Sequence, residues 1–218
     1  MSSVVKGLVD AFKEGGWPMF PILALLLVSW AIIVERIMFL KSCGVDKKRL
    51  LGLLKSQLMS GNVQGALNIC ASNPAPATRV ISAGLVKYNR SEEEIQAAMD
   101  EAALAELPKV EANTGYLAML ANVATLVGLL GTILGLIHSF AAVKGADPST
   151  KATLLAKGIS EAMNCTAFGL ICAVPALIAF AVLNGMTQRV LDTTNEVSVS
   201  VLNMVVSHRG AMKQGHGQ

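Results

Sequence analysis

The sequence contains little charge. Asp, Glu, Lys and Arg together make up 15% of its 218 residues, whereas about 25% is usual for a soluble domain. Hydrophobic residues make up 53% of the chain and aromatic residues only 5%. This composition disfavours a soluble globular domain, and a membrane protein is the first expectation.

Motifs that mark catalytic and metal sites are also missing. The four cysteines, Cys43, Cys70, Cys165 and Cys172, have neither CxxC spacing nor nearby histidines, so we interpret them as small apolar core residues. The sequence has no Ser/His/Asp set and no phosphate-binding loop. Its net charge of +3 comes without a basic stripe interleaved with aromatics. We therefore expect no enzyme, no metal site, no cofactor and no nucleic-acid partner.

Three long apolar runs are present instead. Residues 17–34 carry no charge, and the run resumes after Glu35 and Arg36 as far as Leu40. Between residues 115 and 143 the only Asp, Glu, Lys, Arg or His is His138, and a third run covers about residues 159–186. About 20 apolar residues are enough to cross a bilayer as a helix. The sequence predicts an all-α membrane protein with three transmembrane helices and long cytoplasmic helical extensions.

The polar remainder has helical signals of its own. Residues 47–59 form an amphipathic run, and Ser91 with Glu94 forms an S-x-x-E helix start. Pro108 predicts an interruption or the start of a new helix, because proline lacks the amide that a helix interior uses. The predicted segments are an outer-surface amphipathic segment (1–16), transmembrane helix 1 (17–40), a cytoplasmic helical insert (41–112), transmembrane helix 2 (113–143), a periplasmic loop (144–157), transmembrane helix 3 (158–187), a cytoplasmic helical extension (188–209) and a disordered tail (210–218).

Basic residues indicate the orientation of the chain. Lys and Arg close to a span mark its cytoplasmic side. Only Lys6 and Lys13 precede the first span, whereas its exit is crowded with Arg36, Lys41, Lys47, Lys48, Arg49 and Lys55. We expect the insert and the C-terminus in the cytoplasm and the N-terminus outside.

The second span carries a polar stripe beside a row of glycines. Asn122, Thr125, Thr132 and Ser139 recur at helical spacing, and Gly128, Gly131 and Gly135 supply small-residue spacing. Small residues let helix backbones approach, and polar residues either hold helices together or line a path. The stripe by itself leaves both interpretations open.

The third span concentrates its polarity in one half. Glu161, Asn164, Cys165 and Thr166 precede an apolar run that contains Pro175, a residue expected to bend the helix. A carboxylate facing lipid would be costly. Glu161 is therefore expected either at the outer interface or in a protein-lined cavity.

No Asp, Glu, Lys, Arg or His lies near the middle of any of the three runs. A proton path across a membrane needs a titratable group there. The chain is therefore expected not to form a complete proton relay alone.

Three sequence blocks carry a family resemblance. They are TLVGLLGTILG followed by IHSF at residues 125–140, LAKGISEA at 155–162 and TAFGLICAVPA at 166–176. In this order and spacing they resemble the MotA/TolQ/ExbB proton-channel family. The Glu35-Arg36 pair and the three spans are similar to its ExbB/TolQ branch.

The resemblance implies a homopentamer around a central pore. Two copies of an ExbD/TolR-like single-span partner would occupy the pore and bring an intramembrane Asp. Thr132, Thr166 and Glu161 match ion-pathway positions. Further residues are expected to line the pore (Asn122, Thr125, Ser139, Cys165) or to pack helices (Gly128, Gly131, Gly135, Gly169, Pro175).

The same resemblance implies a function. It predicts a stator subunit of a motor in the bacterial inner membrane, driven by the proton motive force, with a proton as the transported ion, although two hydroxyls could also coordinate sodium. The client is open between TonB-like import, a TolA-like envelope system and gliding machinery. The alternative is a membrane scaffold without ion conduction. A solute transporter would show inverted repeats, which we do not find.

Overall fold

The computed structural model describes Phe12 and residues 15–215, with side chains to Arg209. All regular secondary structure in this part of the chain is α-helical, which confirms the predicted class. Most of the predicted surface segment 1–16 lies outside the described residues, as do residues 216–218. The helices are α1 (Met19–Ser42), α2 (Lys47–Met59), α3 (Val63–Ser72), α4 (Pro76–Val86), α5 (Glu92–Glu111), α6 (Thr114–Val143) and α7 (Pro148–Gly215).

Three stretches of the described chain could cross a membrane. Judged by length and composition alone, Met19–Met59, Glu92–Val143 and Pro148–Arg209 each contain a sufficiently long and apolar helical window. The apolar parts are those of α1, α6 and α7. The expectation of three apolar helices long enough to span is therefore confirmed.

Helix α7 begins earlier and ends later than the sequence analysis predicts. Pro148 occupies its first position, where a proline loses no helical hydrogen bond. The Asp147 carbonyl accepts hydrogen bonds from the amides of Thr150, at 3.0 Å, and Lys151, at 3.2 Å. The link after α6 is thus four residues, 144–147, rather than a loop over 144–157. The backbone is helical to Gly215, although a disordered tail is predicted from residue 210.

The break between α5 and α6 also differs from the prediction. Pro108 lies inside α5, and the chain turns instead at Asn113, whose φ of 61° is left-handed. Asparagine tolerates this conformation better than most residues. Its side-chain amide donates a hydrogen bond to Glu35 at 3.3 Å. The start of α5 agrees with the prediction, because the Ser91 hydroxyl accepts from the Glu94 amide at 3.2 Å.

The chain divides into two compact units, and the first comprises Met1–Glu35 and Asn113–Val182. Its described core is built from α1, α6 and the first part of α7. Small side chains dominate this core, so the helices pack closely. One cluster of buried apolar residues in this core consists of Ile22, Ala121, Ala124, Cys172, Ala173 and Ala176.

Helices α6 and α7 touch along what we call the glycine seam, formed by Gly128, Gly131, Gly135 and Gly169 with Ala162 and Cys165. A Cβ atom added at Gly169 would lie 2.8 Å from the Ala124 carbonyl oxygen, and one added at Gly128 would lie 3.2 Å from the Cα of Gly169. The obstructing atoms belong to the backbone. The seam therefore requires glycine at these two positions.

The second unit comprises Arg36–Ala112 and Leu183–Gln218. Leu50, Leu54 and Leu58 recur every four residues and form the buried face of α2. Val197 and Val201 supply a matching stripe from α7 to the same cluster. This spacing places apolar side chains on one face of each helix, and the result is a helical bundle with its own core.

Two buried polar groups hold the second unit together. The Arg36 guanidinium, 2% exposed, donates to the Val110 carbonyl in the last turn of α5. It also lies 4.8 Å from the Phe39 ring centre. The Glu106 carboxylate accepts from Arg79 at 2.7 Å and from Lys109 at 2.6 Å. These contacts satisfy charges that would otherwise destabilise the fold by burial.

All four cysteines are buried free thiols, as predicted. Burial raises the pKa of the Cys70 thiol from its ordinary value of 9.0 to about 11. The thiolate is the reactive species, so its fraction at neutral pH falls about 100-fold. Because the folded-state pKa exceeds the unfolded one, ionisation of Cys70 destabilises the fold only as the pH rises from about 9 towards 11.

We expect Cys70 to resist alkylation in the folded protein. At pH 7.5, N-ethylmaleimide should modify it at least about 100-fold more slowly than an exposed thiol, as measured by mass spectrometry of quenched samples. A Ser60→Cys variant provides the exposed control in the same unit, since Ser60 is exposed. Equal labelling rates at the two positions would contradict the described burial.

Close packing in the glycine seam makes a second prediction. Gly169→Ala should lower the free energy of unfolding by about 1–3 kcal/mol because the backbone of α6 must move. Gly185→Ala on the same helix is the control, since nothing lies within 4 Å of its added Cβ. That control should be neutral or stabilising by up to about 1 kcal/mol. Thermal unfolding in detergent measures both, and equal stability of the two variants would rule out the seam.

Candidate functional site

The structure brings Thr132 of α6 and Thr166 of α7 together beside the glycine seam. Their hydroxyl oxygens are in direct hydrogen-bond contact. The Thr132 hydroxyl also lies 3.2 Å from the carbonyl oxygens of Gly128 and Ala162, and the Thr166 hydroxyl lies 3.4 Å from that of Gly128. Both side chains are only partly buried. We call this arrangement the threonine pair.

The threonine pair has more hydrogen-bond acceptors within reach than it has hydroxyl protons to donate. A hydroxyl donates one hydrogen bond and accepts two. The two hydroxyl protons can be donated to two backbone carbonyls or to the partner hydroxyl. Several arrangements of donors and acceptors therefore fit nearly the same positions of the oxygen atoms. Oxygen lone pairs remain available on the partly exposed side. The pair can accept a hydrogen bond from an acid brought next to it, or donate one to its carboxylate.

Glu161 lies apart from the threonine pair. It precedes Thr166 by five residues on α7, which turns the side-chain direction by about 140° around the helix. Its carboxylate lies instead beside Gly16, where an added Cβ would be 2.5 Å from Oε1. Of the three predicted ion-pathway residues, the structure thus joins two and places the third on another edge of α7.

The other polar residues predicted to line a pore fall into two groups. Asn122 and Thr125 are exposed on α6, and the Thr125 hydroxyl donates to the Ala121 carbonyl at 3.1 Å. Exposure leaves them available to a neighbouring chain or to an aqueous path.

Ser139 and Cys165, which are also predicted to line a pore, are buried in the single chain. Ser139 is 4% and Cys165 1% exposed. The Ser139 hydroxyl donates to the Gly135 carbonyl at 2.6 Å, and Cys165 packs on Gly131. Both side chains are enclosed between helices of one chain, so we assign them to helix packing. The helical spacing of Ser139 placed it on the polar stripe, but it lies closer to the seam.

The predicted packing residues also divide. Gly128, Gly131, Gly135 and Gly169 all lie in the glycine seam. Pro175 is exposed, and α7 continues through it.

Two contacts were absent from the sequence analysis. Gly158 lies against Ser139, where an added Cβ would collide with the hydroxyl. The spacing of Gly158 to Ala162, Cys165 and Gly169 is that of one helix face, and this signal could have identified it. The approach of Gly16 to Glu161 joins residues far apart in the sequence, and no local pattern predicts it.

Comparison with known proteins places these residues in a family. Residues 72–196 match the MotA/TolQ/ExbB proton channel family, a range that includes the glycine seam, the threonine pair and Glu161. A Synechocystis sp. protein named as an ExbB-like biopolymer transport protein is 32% identical over 178 residues, covering 80% of this chain and 84% of that one.

Two further relatives carry different system names. The Tol-Pal system protein TolQ of Pseudomonas aeruginosa is 29% identical over 177 residues, covering 74% of each chain. The biopolymer transport protein ExbB of Pseudomonas putida is 27% identical over 161 residues, 72% of this chain and 49% of that one. These matches confirm the resemblance seen in the three sequence blocks. The chain is a member of the MotA/TolQ/ExbB proton channel family.

Proposed function

We propose that this protein is the pore-forming stator subunit of a motor driven by the proton motive force. Five copies surround a central pore lined by α6 and α7. Two copies of an ExbD/TolR-like single-span partner occupy that pore. Protons cross between the partner and the threonine pair, and their passage drives relative rotation of the two components.

The threonine pair is the observation that carries this proposal. Its hydroxyls come from α6 and α7, at positions inside the family match, and both side chains are partly exposed. A hydroxyl pair can exchange hydrogen bonds with a neighbouring acid in both protonation states, because it both donates and accepts. Such a group suits a position where a carboxyl cycles between charged and neutral forms.

The acid itself must come from another chain. Glu161 is the one carboxylate within the apolar parts of α6 and α7, and it lies away from the threonine pair. A proton relay needs a titratable group near the middle of the membrane. The partner's intramembrane Asp meets this requirement.

An assembly is supported by the exposed surface of α6. Leu126, Leu130, Ile133 and Ile137 are 49–63% exposed in the single chain. Within a membrane such a surface contacts lipid or other helices, and the adjacent Asn122 and Thr125 favour a protein or water contact over lipid. A pentamer would cover the polar part of this surface and leave the apolar part to lipid.

The location and energetics follow from the same proposal. The chain would lie in a bacterial inner membrane with its N-terminus in the periplasm and its C-terminus in the cytoplasm. Moving one charge across the membrane releases about 2.3 kcal/mol per 100 mV, so a few protons per step supply useful work. A proton is proposed as the transported ion because the matching family is described as a proton channel family, although the two hydroxyls could also help to coordinate sodium.

The client system stays open within this proposal. The relatives bear both biopolymer-transport and Tol-Pal names. TonB-like import, a TolA-like envelope system and gliding machinery all use a force generated in this membrane.

A membrane scaffold is the second candidate function. It is favoured by the contacts of the threonine pair with the Gly128 and Ala162 carbonyls, since hydroxyls that bond to backbone carbonyls can serve packing alone. A scaffold would assemble with partners but move no ions. Flux and assembly must therefore be measured on the same sample.

Loss of the hydroxyls should abolish ion flux without preventing assembly. Thr132→Ala and Thr166→Val each remove a hydroxyl, and the valine keeps the shape of threonine. In liposomes containing the chain and its single-span partner, each variant should lower proton flux driven by a pH gradient at least about 100-fold. Size-exclusion chromatography should show an unchanged complex.

Thr194→Val is the matched control for this experiment. Thr194 lies on α7, and its hydroxyl donates to the Val190 carbonyl at 2.8 Å. The same isosteric change there should leave flux within about twofold of the original protein, because Thr194 lies in the second unit and outside the threonine pair. Flux that persists in both threonine-pair variants would contradict the role assigned to the pair, whereas an assembled original complex that moves no protons would favour the scaffold.

A further inference from the structure

The turn before α1 lies against α7 at the level of Glu161. Gly15 and Gly16 form this turn, and the φ of Gly16 is 70°. That left-handed conformation is readily adopted by glycine and costs energy for most other residues. The turn is a part of the first unit that the sequence analysis did not connect with any ion-pathway residue.

Two contacts fix the position of the turn. The Cys165 thiol donates a hydrogen bond to the Gly15 carbonyl at 3.1 Å. Pro18 lies against Gly131 of the glycine seam, where an added Cβ would be 3.1 Å from the proline ring. The turn is therefore anchored to both α6 and α7.

Because Gly16 has no side chain, the Glu161 carboxylate can occupy the space next to it. An added Cβ would lie 2.5 Å from Oε1 and 3.6 Å from the carboxyl carbon. The obstructing atom is the end of a flexible side chain, so the carboxylate would move before the anchored turn does. A side chain at position 16 thus changes where the charge of Glu161 lies.

We infer that Gly16 is a positioning residue for Glu161 in ion transfer. By lacking a side chain it keeps the carboxylate at the edge of α7 next to the turn, away from the threonine pair. This inference rests on the proposed function, in which Glu161 belongs to the ion pathway. Gly16 acts only through the carboxylate and makes no contact with the transported ion.

Flux measurements on paired variants test this role. Gly16→Ala should lower proton flux about tenfold, since misplacing a charged group by about 1 Å has effects of this size or larger. Glu161→Asp shortens the side chain by one methylene and makes room for the new Cβ. In that background Gly16→Ala should cause little further loss. Gly145→Ala, with nothing within 4 Å of its Cβ, should leave flux unchanged.

A separate variant distinguishes the effect of the added side chain at position 16 from the effect of backbone strain. Asparagine tolerates a left-handed φ but carries a Cβ, so Gly16→Asn should lose as much flux as Gly16→Ala. The thiol of Cys165 should stay protected from maleimide in both variants, which shows that the turn is still docked. Full flux in the asparagine variant, or exposure of Cys165 together with the loss, would overturn the positioning role.

A stability measurement tests the contact between Gly16 and Glu161 independently of flux. Gly16→Ala should lower the melting temperature by about 2–4 °C, and by roughly half as much in a Glu161→Ala background, where the carboxylate is gone. Equal shifts in the two backgrounds would refute the inference. If the original protein moves no protons while this coupling is present, the proposed function fails and the positioning of Glu161 by Gly16 still holds.

Discussion

The close contact between the backbones of α6 and α7 is the constraint on which the rest of the site depends. Gly128 and Gly169 meet with no side chain between them, and this approach lets the Thr132 and Thr166 hydroxyls touch. An added methyl group would lie 2.8 Å from the Ala124 carbonyl oxygen at Gly169 or 3.1 Å from the Cys165 carbonyl oxygen at Gly128, which is closer than van der Waals contact, so the helices would have to separate. The glycines therefore serve the chemistry indirectly, by setting the separation of two polar groups in an apolar surrounding.

The seam also separates two kinds of polar group. The threonine pair lies along one edge of the α7 packing face, and Glu161 lies along another, beside the turn that precedes α1. A carboxylate and a hydroxyl pair held apart in this way can act at different points of one ion path. The proposed motor needs such a division, because an acid bound permanently to the hydroxyls would leave them unable to exchange protons with a partner.

Much of the fold could be predicted because it depends on local signals. Apolar runs identified the three long apolar helices, and the Ser91 cap identified the start of α5. The start of α7 at Pro148 follows from the same kind of local rule, because proline is favoured at the first position of a helix. The site was predictable in part: helical spacing and family motifs pointed to Thr132 and Thr166. The contact of Gly16 with Glu161 could not be predicted, since it depends on how a turn docks onto a helix distant in sequence.

Disulfide formation between positions 132 and 166 tests the central claim most directly. A Thr132→Cys/Thr166→Cys variant in membranes should form an intramolecular disulfide on mild oxidation, identified by mass spectrometry of the linked peptides, because only side chains in direct contact meet the geometry of the bond. Ile133→Cys/Thr166→Cys should not, since Ile133 is 49% exposed on another face of α6. Absence of the 132–166 link, or its formation only between chains, would contradict a seam that joins the two hydroxyls within one subunit.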